Sequence, residues 1–158
     1  MKRFALISLA CLLFAAGCAG AKWETASVTR HDQYIISLQH RIEGEQVIDQ
    51  NYNHPADISI NTMARFLKDL TYLAESPFFG NPEETPVFQD IEIARLAPEL
   101  SISFETATSN QRIHFTSFNR GGGFIFKDTR KTEGVMFVDS DNQLNIAFSW
   151  INEPINLG

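Results

Sequence analysis

The chain has 158 residues, 44% of them hydrophobic and 20% charged, with a formal net charge of −6. That length predicts one domain with a normal apolar core, and the acidic balance excludes a general binder of nucleic acid or a protein held to anionic lipid by surface charge. Eleven of the 13 phenylalanines lie between Phe66 and Phe148, a composition that predicts an aromatic-rich core rather than disorder.

At the start, Lys2 and Arg3 precede an apolar run from Phe4 to Ala16, followed by Gly17 and Cys18. A charged start, a short apolar stretch and small residues form the layout of a secretory signal. The run is shorter than the roughly 20 apolar residues of a membrane-spanning helix. The segment Phe14-Ala15-Ala16-Gly17-Cys18 resembles the lipobox of bacterial lipoproteins, with Ala15 where Leu is commoner. The resemblance covers the first twenty or so residues. It implies that residues 1–17 are removed and that Cys18 is acylated and becomes the new N-terminus. It also implies a membrane-anchored protein of the cell envelope. Ala19, rather than Asp, in the next position implies the periplasmic face of the outer membrane. If the cut falls before Cys18, Cys11 leaves with the signal and the mature domain has no free thiol. Disulfides, cysteine–metal sites and a cysteine nucleophile are thereby excluded. Loss of Lys2 and Arg3 takes the formal charge from −6 to −8.

Residues 18–30 are expected to form the anchor and a short tether, and residues 31–158 a single globular domain. Trp23 rests either at the lipid headgroups or against the edge of the core. Tyr34-Ile35-Ile36-Ser37-Leu38 begins a strand, Glu43-Gly44 turns, and Gln46–Tyr52 returns as the second arm of a hairpin. His54-Pro55-Ala56-Asp57 breaks the pattern. Ser59 is a helix N-cap, and the spacing of Ile60, Met63, Ala64, Leu67, Leu70, Leu73 and Ala74 predicts a helix ending near Ser76-Pro77. Three prolines and a glycine between Pro77 and Pro86 predict an irregular loop. Gln89–Ala107 reads as a second helix, with Ile93, Leu96, Leu100 and Phe104 on one face. Asp90 and Glu92 suit its positive end, and Pro98 predicts a kink or a split near Ala97.

Beyond Asn110 the pattern is strand-like. Arg112–Thr116 alternates with Ile113 and Phe115 on one side. Phe124–Lys131, Val135–Val138 and Leu144–Phe148 follow, with Asp139–Asn142 as a hairpin turn. The order of strands, helices and strands predicts an α+β fold. An antiparallel sheet, made of the N-terminal hairpin and about four C-terminal strands, is covered on one face by two helices.

Few residues carry recognisable chemistry. His31, His40, His54 and His114 show no i, i+4 pair, so neither a metal nor another cofactor is expected. Asp139–Gln143 begins like a calcium loop but lacks its glycine. Gly121–Gly123 lacks the Lys-Ser/Thr ending of a phosphate loop, and reads as a mobile loop or a gate for a ligand. Glu83, Glu84, Asp90, Glu92, Glu99 and Glu105 read as surface charge. Phe78 and Phe79 either plug the core beneath their loop or dock a partner. Lys127, Arg130 and Lys131 form either a solvated strand face or a positive patch for an acidic partner. The expected function is an envelope-anchored binding or assembly module without catalysis, with an envelope protein as a possible partner and no nucleic acid. A periplasmic carrier of an apolar or amphipathic ligand is the alternative, and a carboxylate-based hydrolase a third.

Overall fold

The computed structural model describes residues 20–74, 81–120 and 129–155. In chain order they form strands β1 (Lys22–His31), β2 (Tyr34–Glu43) and β3 (Gln46–Val47), helix α1 (Ile60–Lys68), strands β4 (Thr71–Ala74) and β5 (Glu83–Pro86), helix α2 (Asp90–Thr106), and strands β6 (Gln111–Arg120), β7 (Thr129–Val138) and β8 (Leu144–Ile155). One antiparallel sheet runs β1-β2-β6-β7-β8 with β3 on β2, and β4–β5 is a separate hairpin. Both helices pack on one face of the large sheet, so the expected α+β architecture is the one observed.

Alternation explains the covered face. Ile36 and Leu38 on β2, Ile113 and Phe115 on β6, Met136 and Val138 on β7, and Ile146 and Phe148 on β8 all point toward the helices. Met63 and Leu67 of α1 and Leu96, Leu100 and Phe104 of α2 meet them, each fully or almost fully buried. In one sheet row, Gly134 lies between Phe115 and Phe148. A Cβ there would sit 2.6 Å from the Ala147 carbonyl and 3.1 Å from the Phe115 ring. The missing side chain lets Phe115 and Phe148 meet edge-on at 6.2 Å, with Phe88 against both.

Several expectations are corrected. Lys22–Arg30 is no tether: it is most of β1, and Trp23 lies on the sheet face opposite the core, under the Arg112 guanidinium at 3.6 Å. The arm expected over Gln46–Tyr52 is paired only at Gln46 and Val47, and the long partners of β2 are β1 and β6. Helix α1 stops at Lys68. Ser59 caps it through the Thr62 N–H as expected, but Thr71-Tyr72 are β-formers and pair with Thr85 and Pro86 instead. Leu73 is therefore 71% exposed rather than on a helix face. The same pairing makes Glu83–Pro86 a strand within the expected loop. Helix α2 runs unbroken through Pro98, so no split is present. Thr129–Lys131, the described end of the preceding segment, continues into Val135–Val138 as one strand, β7, and the rest of that segment lies outside the described residues. The Asp139–Asn142 turn is as expected. The Asp139 carboxylate accepts the Asp141 and Gln143 N–H groups and an Asn145 amide hydrogen, and the Gln143 bond leads in holding its pKa below the usual range.

Candidate functional site

Helix α2 begins with a reciprocal capping arrangement, in which Glu92 Oε2 accepts the Gln89 N–H at 3.0 Å. The same side chain turns inward onto β6. Alternation that places Ile113 and Phe115 on the helix-facing side also places Ser117 and Asn119 there. Ser117 Oγ donates to Glu92 Oε1 at 2.6 Å, and Asn119 Nδ2 donates to Oε2 at 3.2 Å. Glu92 is 4% exposed. Its reading as surface charge is thus corrected: it is a buried carboxylate with three neutral donors and, among the described residues, no cation within salt-bridge distance.

Glu92 lies at the base of a cleft of about 470 Å³. The cleft opens where the Asp32–Gln33 turn, the first turns of α2, the end of β6, the start of β7 and the end of β8 converge. Arg95, one turn further along α2, lines it with Ile91, Phe118 and Ile155. A second cleft of about 480 Å³ lies beside β5, lined by Lys68, Val87, Phe88, Asp90 and Ile93. Asp90 and Lys68 face each other there at 3.7 Å. Glu99, read with Asp90 as surface charge, lines neither cleft.

The opposite end of α2 holds a different buried group. His54, in the segment that breaks the strand pattern, is 8% exposed. Its Nε2 accepts the Val138 N–H at 2.9 Å, which puts the proton of the neutral ring on Nδ1, where no partner is found among the described residues. Phe104 packs edge-on at 5.3 Å and Tyr52 at 5.8 Å. Burial lowers the imidazole pKa to about 4.

On the uncovered sheet face, Glu133 receives Lys131 Nζ at 3.1 Å and meets His114 Nε2 at 3.2 Å. Burial alone raises the Glu133 carboxyl, but the bonds from Lys131 and His114 outweigh it and hold the pKa below the ordinary range. Lys131 also lies 5.0 Å from the Trp150 ring. Of the cations weighed as a solvated strand face or a positive patch, Lys131 is paired with Glu133, and Arg130 donates to the Asn152 carbonyl at 3.0 Å. Cys18, Phe78, Phe79, Lys127 and the glycine run lie outside the described residues.

Among the described residues no cluster of His, Cys, Asp and Glu suited to a metal is present, and no helix is long and apolar enough to cross a membrane. Comparisons with protein-family models, curated proteins and solved structures found no match.

Proposed function

We propose that this chain is an envelope lipoprotein, anchored through acylated Cys18, whose domain is a binding or assembly module without a catalytic role. The observation that carries this reading is where β1 begins: Lys22 lies four positions after Cys18. Four residues span at most about 14 Å, so the lipid would hold this end of the sheet at the bilayer. From there β1 runs ten residues to the Asp32–Gln33 turn, about 30 Å of extended chain. The cleft above Glu92 would then face away from the membrane, open to a ligand or an envelope partner. Three donors already hold the Glu92 carboxylate in one orientation, which suits a fixed recognition group.

Metabolic labelling with a fatty-acid analogue tests the anchor. The wild type should take up label and Cys18→Ala should not; an unlabelled wild type sinks the reading. Orientation is tested with single cysteines at Glu45 and Asp32, since the lipidated chain carries no other thiol. A fluorophore at Glu45, in the turn beside Lys22, should be quenched by a lipid-borne quencher, and one at Asp32 should not. Equal or reversed quenching overturns the arrangement.

A further inference from the structure

We propose that the cleft above Glu92 binds a small amphoteric ligand, one carrying an ammonium and a carboxylate on an apolar body, as a free amino acid or a short peptide does. This rests on the reading of the domain as a binding module and names what the module binds.

The cleft contains both signs of charge, and neither is quenched by the other. Glu92 is 4% exposed, and its hydrogen bonds come only from a serine hydroxyl, an asparagine amide and a backbone N–H. These donors satisfy its oxygens but leave its net charge uncompensated in a poorly hydrated place. Arg95 lies three positions along the same helix and lines the same cleft, yet it forms no ion pair with Glu92 or with any other described residue. Asp32 adds a second carboxylate at the rim. The walls are apolar: Phe118, Ile155 and Ile91, which is 52% exposed on the first turn of α2.

Each simpler ligand leaves something unpaired. An anion that reaches Arg95 must pass Asp32 and sit beside Glu92. A cation drawn to Glu92 meets Arg95. A purely apolar molecule would cover both charges without partners, which burial penalises. A ligand with both charged groups lays its carboxylate toward the Arg95 fork and its ammonium toward Glu92 and Asp32, with its side chain along Phe118 and Ile155. A volume of about 470 Å³ falls at the small end of ligand sites, which favours one or two residues over a folded partner.

The test is a titration of the purified, anchored protein in detergent, followed by calorimetry and amide chemical shifts. The probes are leucine, leucyl-leucine, N-acetyl-leucyl-leucine and leucyl-leucine amide. Leucine or leucyl-leucine should saturate, with shifts at Glu92, Arg95 and Asn119. Loss of either end charge of the dipeptide should weaken binding about tenfold or more, the range of a charge-assisted hydrogen bond. In Arg95→Gln, at a half-buried position whose loss should be tolerated, the amide should bind as well as the free dipeptide. In Glu92→Gln the acetylated form should lose its penalty. No saturation by either zwitterion, equal binding of all dipeptide forms, or shifts confined elsewhere would overturn the proposal. Fatty-acid labelling of the same preparation reads the anchor separately. Labelled protein that ignores every probe removes this ligand class alone; unlabelled protein that binds the zwitterions removes the anchor and keeps the ligand.

Discussion

The two ends of helix α2 bury an ionisable side chain in opposite ways. At its N-terminal end Glu92 is surrounded by donors that suit a charged carboxylate. At its C-terminal end His54 is walled by Phe104 and Tyr52, accepts one backbone N–H and is kept neutral. The first arrangement satisfies a carboxylate with neutral donors; the second keeps the ring neutral and ties the segment before α1 to the last residue of β7. Burial alone therefore does not mark a recognition group. What distinguishes Glu92 is that its donors come from two distant parts of the chain, the start of α2 and the end of β6, and that a cleft opens above it.

The largest test of this contrast is Glu92→Ala. It strips the acceptor from Ser117, Asn119 and the Gln89 N–H, and at roughly 1 kcal/mol or more per stranded donor it should cost about 3 kcal/mol. Denaturant unfolding measures it; a loss under 1 kcal/mol would mean that water replaces the carboxylate freely and that the donors are not preorganised around it.

Acid should reveal the other end. The His54 imidazole has its ordinary pKa of 6.5 when unfolded and about 4 when folded. The unfolded state thus takes up the proton first, so this contribution is complete above pH 6.5 and is lost as pH falls from 6.5 to 4. The difference amounts to about 3 kcal/mol. His54→Phe should lower stability at pH 7 by leaving the Val138 N–H unpaired, and should flatten the slope between pH 6.5 and 4. An unchanged slope in that variant would show that another group titrates there.

The smallest effect belongs to the uncovered sheet face. Glu133 has a lowered folded pKa, so its contribution is present above its ordinary value of 4.5 and is lost as pH falls below it. Being partly solvated, the trio with Lys131 and His114 should be worth no more than about 1 kcal/mol. Glu133→Gln should cost that amount at low salt and less at high salt; a loss as large as that of Glu92→Ala would erase the distinction between solvated and buried carboxylates.

Much of the fold was legible where one face of an element is buried. The apolar spacing of Met63 and Leu67, the stripe Ile93-Leu96-Leu100-Phe104 and the alternation of Ile113 with Phe115 each mark a core side, and each is buried. Strand β1 was not legible because most of its residues are exposed on both faces, which leaves no apolar alternation to read. The overrun of α1 has another cause. Leu70, Leu73 and Ala74 keep helical spacing, yet pairing with β5 recruits Thr71–Ala74 into a strand. The candidate site was half legible. Extending the Ile113–Phe115 alternation by two steps puts polar Ser117 and Asn119 on the core side, and such residues need a partner. Gln89 and Glu92 have capping spacing. Nothing local joins these two signals, since Ser117 is 25 positions from Glu92.

Local order along the chain was enough to define an acidic composition, a lipobox-like segment, two amphipathic helices and the core side of the central strands. These depend on composition and on periodicities of 2 and 3.6 residues, both carried by neighbours in sequence. Folding alone determined that β1 starts close behind Cys18, that Glu92 and His54 are buried while Asp90 is not, and that Arg95, Phe118 and Ile155 share one cleft. Those outcomes depend on which strands pair and where their ends converge, a long-range choice that no short stretch of chain encodes.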